Sequence, residues 1–215
     1  MAGLLAGVRA ARRALAADGP VRQRADGDFE RVALPEDDGD VLRDLLVAEE
    51  ARVVIEVGLA YGSSALAIAE ALVMQGRDAG HVIIDAYQQA FDDAGWEAVA
   101  SAGLAGLATL SRERSQLELP RLVAKGFVAD AAFVDGSHVF HNVFVDLCFL
   151  REIVRPGGLI VLDDLQWPSV ATAVRYFERN TGWEPEPVGR PTRLRAFRLP
   201  DPRVEPSFEE FVPFG

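Results

Sequence analysis

VVIEVGLAYGSS, residues 53 to 64, joins a strand pattern to a helix pattern through a glycine turn. Val53, Val54, Ile55, Glu56 and Val57 suit a buried parallel strand, Gly58 and Gly62 frame the turn, and from Ser63 the apolar residues Ala65, Leu66, Ile68, Ala69 and Leu72 recur at helical spacing. Glycines let the chain turn sharply and let a ligand approach the main chain, and the first N–H groups of a helix lack intrahelical partners. A carboxylate or phosphate is favoured at such a turn. Glu56 is the last polar group before it, and an unpaired carboxylate there would be costly to desolvate, so a zwitterion fits better than a pyrophosphate. The spacing from Gly58 to Gly62 also departs from the G-x-G-x-x-G of dinucleotide sites. A tight strand-to-helix turn without a ligand is the plainer alternative.

Around this stretch the composition is that of one globular domain: 215 residues, 49% hydrophobic and 26% charged. We divide it into N-terminal helices (1–50), a ligand-binding core (51–200) and a tail (201–215). A net charge of -11 disfavours nucleic acid and anionic membrane, which need clustered Lys and Arg, and makes a small molecule the expected partner. The single cysteine, Cys148, sits in an apolar stretch and reads as packing. No apolar run is long enough to cross a bilayer, and Arg9, Arg12 and Arg13 interrupt what would be a signal-peptide core, so a cytoplasmic location is expected. Leu4, Val8, Ala11 and Leu15 recur at helical spacing within Met1 to Asp18. That helix is expected to pack on the domain or on a second subunit, the latter giving a homodimer.

The chain then alternates. Gly19 to Asp28 reads as a loop, and Pro35 with the acids Glu36 to Asp40 opens a helix through Val47. His81 to Asp85 is the second strand, and Trp96 to Gly106 a helix with a glycine stop. Leu107 to Leu110 is a brief third strand, and a helix begins at Ser115, an N-cap in the plain reading. Ala131 to Asp135 is the fourth strand, followed by a helix from Val139 to about Val154. Pro156, Gly157 and Gly158 launch the fifth strand, Leu159 to Leu162. A helix over Ser169 to Asn180 and a hairpin of Trp183–Val188 and Arg193–Leu199 complete an α/β fold: a doubly wound, mostly parallel seven-stranded sheet with an antiparallel last strand and helices on both faces. The tail from Pro200 is expected to lie over the body.

In open α/β sheets ligands sit at the carboxyl ends of strands, where strand order reverses. Glu56, Asp85, Asp135, Asp163 and Asp164 all fall at such ends. Asp85 stands where a nucleotide site places the acid that accepts from ribose hydroxyls, with a turn or cap role as the alternative. Converging carboxylates are stable only if protonated or held by a cation, so Asp135, Asp163 and Asp164 predict a hard divalent metal site, against helix capping without metal. His138, three residues past Asp135, is the candidate base, and a metal at Asp135 would leave it less to do. His81, at the start of a strand, and His141 rank below it. Ser115 and Gln116 are candidates for contact with an adenine.

From about Leu34 to Tyr176 the chain resembles the metal-dependent class I O-methyltransferases, including catechol O-methyltransferase, and within them a bacterial branch with a D-G-x-H motif, here Asp135, Gly136, Ser137, His138. The resemblance implies S-adenosylmethionine as cofactor, its amino-acid part on Glu56, Gly58, Gly62 and Ser64, its ribose on Asp85 and its adenine on Ser115 and Gln116. It also implies Mg²⁺ or a similar cation on Asp135, Asp163 and Asp164, and methyl transfer to a small-molecule hydroxyl with Asp135 and His138 as catalytic groups. Catechol-type enzymes carry Asn where this chain has Asp164 and a catalytic lysine where it has His138. Two other classes compete: a non-catalytic cofactor- or partner-binding protein that keeps the fold, and a nicotinamide-dependent oxidoreductase, disfavoured by the missing third glycine and the metal-type acids.

Overall fold

The computed structural model describes residues 2–76 and 78–214; Met1, the first residue of the expected N-terminal helix, lies outside them. Its centre is the strand predicted from the glycine-turn stretch. β1 (Val53–Val57) is apolar apart from Glu56 and buried on both faces, as a central parallel strand must be. It pairs in parallel with β2 (Gly80–Ile84) on one side and β4 (Ala129–Val134) on the other. β3 (Ala108–Ser111) extends the sheet beyond β2, and β5 (Val154–Leu162) beyond β4. The hairpin of β6 (Glu184–Glu186) and β7 (Arg195–Arg198) closes it, with β7 antiparallel to β5. The order β3-β2-β1-β4-β5-β7-β6 reverses between β1 and β4, which opens a crevice at their carboxyl ends.

Helices cover both faces. On one, α4 (Ser63–Gln75) is buried on nearly every side because α1 (Ala2–Asp18) and α3 (Glu36–Ala48) pack over it, which explains its uniformly apolar sequence. Val8 and Leu15 of α1 enter that core, and Arg9 and Arg12 pair with the buried Glu70 of α4, so the helix lies on its own domain. On the other face α6 (Ser115–Ala124), α7 (Phe140–Ile153) and α8 (Pro168–Asn180) share one core with the ends of β1, β2 and β4. Cys148 packs, half-buried, against that core. The tail runs along α8, where Arg175, Arg179 and Asn180 donate to the carbonyls of Phe214, Pro213 and Val212. Among the described residues no helix is long and apolar enough to cross a membrane.

Four local expectations are corrected. A short helix, α2 (Asp28–Val32), occupies the end of the expected loop. The helix read as Trp96–Gly106 is α5 (Ala94–Ser101), preceded by a 3₁₀ turn over Gln88–Phe91; it stops at the first glycine available, Gly103, which takes a left-handed φ of 79°. Ser115 is the first residue of α6, not its cap, which is Arg114. β5 starts at Val154, directly after α7, and Pro156 to Gly158 lie in a bulge within it, not in a turn before it.

Candidate active site

The glycine turn is shaped by its neighbours. Gly58 has φ 97°, and a Cβ there would stand 2.2 Å from the carbonyl oxygen of Asp135. Gly62 has φ 87°, and a Cβ would stand 2.9 Å from that of Gly95. The missing side chains make room for the main chain after β4 and at the start of α5. Asp85, at the end of β2, holds the turn in place. Its Oδ2 accepts from the N–H groups of Leu59 and Ala60 and from Gln88 Nε2, all at 3.0 Å, and its Oδ1 accepts from Tyr87 N–H at 2.7 Å. Gln88, fully buried, also donates to Ala60 O and accepts from Trp96 N–H. The expected ribose acid is thus already braced by four protein donors.

Glu56 is completely buried and does not line the cleft beside the turn. Ser64 does, and its Oγ donates to Glu56 Oε1 at 2.5 Å. His81 Nε2 lies 2.9 Å from Glu56 Oε2 but is not aligned for a hydrogen bond, and that oxygen has no hydrogen-bond partner. Among the described residues Glu56 is thus half satisfied: Oε1 is met by Ser64, while Oε2 has the His81 ring beside it and no hydrogen bond. Val32, Ala33, Leu34 and Asp135 also line this narrow cleft. The first hydrogen bond of α4 runs from Leu66 N–H to Gly62 O, which leaves the N–H groups of Ser63 and Ser64 for an anion at the cleft. These features fit the amino-acid end of S-adenosylmethionine. A larger cavity of 280 Å³ shares Ala33, Leu34 and Ser63 with this cleft and is lined further by Arg12, Phe29, Gly39 and Leu66, with none of the rim acids in its lining.

Beyond β4 and β5, the three expected metal ligands divide. Arg193, on the approach to β7, takes Asp163 through Nε (2.7 Å) and Nη2 (2.6 Å). Asp163 Oδ1 accepts from Asp164 N–H. Asp135, His138 and Asp164 converge instead, with donor atoms within 4.8 Å of one another and His138 Nε2 2.6 Å from Asp164 Oδ2. Two carboxylates and an imidazole at that spacing fit a divalent cation, though not the all-oxygen set expected. Burial, with Asp163 and Asp164 nearby, pushes the Asp135 carboxyl well above the usual carboxylate range. Burial also raises Asp163, against the pull of Arg193. Of the rim acids Asp135 alone has no donor or ion-pair partner among the described residues, and the notion that a cation must hold these carboxylates is half answered by the chain's own arginine. Trp167 stacks on His138 with ring centres 6.0 Å apart, and Ser169 Oγ donates to His138 O at 2.6 Å.

Ser115 and Gln116 open α6, and Gln116 Nε2 donates to Ser115 Oγ and to Asp146 on α7. Asp146, Arg193, Gln88 and the His81–Glu56 contact escaped the sequence reading. For Arg193 a signal existed: in an antiparallel hairpin, residues before β7 continue past the end of β5, beside Asp163 and Asp164.

Residues 55–165 match the family model described as a methyltransferase domain. No curated protein matches the sequence. Among solved structures, the chain is similar to the O-methyltransferase TomG from Streptomyces achromogenes in complex with SAM, with 20% identity, 90% of this chain and 88% of that one covered, and a TM-score of 0.65. Cofactor-bound Rv0187 from MTB gives 20% identity, 92% and 89% coverage and a TM-score of 0.67. The O-methyltransferase from Bacillus cereus in complex with SAH gives 18%, 91%, 90% and 0.63. The family match runs from β1 through the glycine turn to the acids after β5. The chain belongs to the methyltransferase-domain family and is a class I, S-adenosylmethionine-dependent methyltransferase.

Proposed function

We propose that the protein transfers the methyl group of S-adenosylmethionine to a hydroxyl oxygen of a small molecule, with a divalent cation at Asp135 and Asp164. The carrying observation is the convergence of Asp135, His138 and Asp164, with Asp135 also lining the cleft that Ser63 and Ser64 line. In this reading Ser63 and Ser64 bind the cofactor's carboxylate, and Glu56 positions Ser64. Gly58 and Gly62 hold the turn, Asp85 meets the ribose once Gln88 gives way, and Ser115 with Gln116 meets the adenine. When bound, the cation supplies positive charge beside the acceptor oxygen and lowers the hydroxyl's pKa. With His138 Nε2 held by Asp164, Nδ1 is free to take the acceptor's proton. The new C–O bond forms as the C–S bond breaks and its electron pair returns to sulfur, so the enzyme's main task is alignment. Trp167, half-exposed against His138, offers a flat wall for an aromatic or sugar acceptor. The charge of -11 supports a small neutral acceptor over nucleic acid, and a cytoplasmic setting suits the cofactor.

The test is transfer of labelled methyl from S-adenosylmethionine to a panel of small phenols and sugars, with Mg²⁺ or Mn²⁺ and with chelator. Chelation and Asp135→Asn are each expected to remove transfer. His138→Ala is expected to lower kcat by about 10²–10⁴-fold while cofactor affinity holds. Transfer that is indifferent to chelator and to Asp135→Asn would remove the metal from the reading. Cofactor binding without transfer to any hydroxyl would favour the non-catalytic alternative.

A further inference from the structure

Asp146 lies within α7 at 1% exposure, and no charged side chain among the described residues acts on it. Its carboxylate is met by Ser115 and Gln116 from the start of α6 and by nothing else. α6 begins at Ser115, just after β3 ends at Ser111, whose carbonyl accepts from Asp85 N–H, so this end of α6 stands at the rim where Asp85 also sits. Burying a carboxylate without a cation carries a large desolvation cost that an apolar residue would avoid. Burial pushes the Asp146 carboxyl up to about 7, with Ser115 and Gln116 opposing.

The geometry points to a reason for that cost. Gln116 Nε2 donates to Asp146 Oδ1 at 3.1 Å and to Ser115 Oγ at 2.8 Å, so both N–H groups of the amide are used inward. Oε1 is left as an acceptor on a half-exposed side chain. An ionised carboxylate only accepts, and the flipped amide would set Oε1 against it. We propose that Asp146 is a positioning residue for the cofactor's base: it locks Gln116 with Oε1 outward and makes the site select a purine with an amino group at position 6 over one with a carbonyl there. The proposal rests on the reading of Ser115 and Gln116 as the adenine subsite.

Calorimetric titration of S-adenosylhomocysteine and S-inosylhomocysteine into native protein, Asp146→Asn and Gln116→Ala at pH 8 tests it. Native protein is expected to prefer the adenosyl compound by about tenfold or more, since the 6-oxo base leaves the Gln116 oxygen facing another acceptor. The preference should collapse in Gln116→Ala and also in Asp146→Asn, whose amide can donate to Oε1 and release the flip. A packing role alone would change thermal midpoint and leave the preference intact. Should Asp146→Asn not fold, Asp146→Leu decides, because it removes the acceptor that holds the amide and leaves Gln116 free to turn: the preference is expected to collapse there as well. An unchanged preference in Asp146→Asn, or in Asp146→Leu, overturns the proposal. An unchanged preference in Gln116→Ala overturns the adenine subsite beneath it, and native protein that binds neither compound overturns the cofactor reading.

Discussion

At Asp163 a buried carboxylate takes its countercharge from Arg193, whose side chain is one-third exposed while that of its partner is fully hidden. The pair is unequal, and so are the effects of losing each member. Arg193→Gln strands a buried charge and is expected to cost about 2–4 kcal/mol at pH 8. Asp163 already binds its proton more tightly in the folded than in the unfolded chain, so native stability falls as pH rises through that interval, and loss of the arginine deepens the effect. Urea unfolding at pH 5 and pH 8 should show the Arg193→Gln deficit growing with pH; a deficit that is larger at pH 5 would contradict the pairing. Asp146 follows the same sign. With a folded pKa of about 7 against 3.8, it holds a proton in the native state that the unfolded chain has released, and stability should fall by up to about 4 kcal/mol between roughly pH 4 and pH 7. Asp146→Asn should flatten that slope in the same urea series, and an unaltered slope would mean that Asp146 is ionised throughout.

Among the elements, the turn between β1 and α4 is held by packing on one side and by a carboxylate on the other. Gly58→Ala must adopt φ 97° and push a methyl group to 2.2 Å from a carbonyl oxygen after β4, a fixed main-chain position. Strain and overpacking together should cost about 3 kcal/mol or more. Gly80, at the start of β2, meets nothing within 4 Å, and its alanine variant should change stability by less than about 1 kcal/mol. Thermal melts of the two separate a positional requirement from a general dislike of larger residues, and equal losses would refute it. β1 and α4 were legible because their patterns are long and bounded by glycines. The start of β5 was not: Pro156, Gly157 and Gly158 form the composition of a turn, yet parallel pairing with Ala129 resumes before them, a non-local contact that local residue types do not announce.

Over the whole molecule, the reversal of strand order between β1 and β4 gathers residues from five separate segments at one rim. Strand-ending acids could be placed there from the sequence because strand ends are local features. Their partners could not. Arg193 arrives from the closing hairpin beside Asp163 and His81 from a neighbouring strand beside Glu56, each by a contact that exists only once the sheet has formed. The N-terminal helix likewise resolved through tertiary contact: Val8, Leu15 and the Arg9 and Arg12 pairs with Glu70 seat it on its own chain, so its apolar stripe is accounted for without a second subunit. The proposed seat of S-adenosylmethionine is the β1–α4 turn. Calorimetric titration of that cofactor into native protein and Ser64→Ala tests it most directly. One site per chain is predicted in native protein, weakened about tenfold or more by loss of the Ser64 hydroxyl, which leaves buried Glu56 without its donor. Native protein that binds no cofactor would contradict it; a Ser64→Ala variant that binds as native would confine the contact to the main-chain N–H groups and remove the role of Glu56.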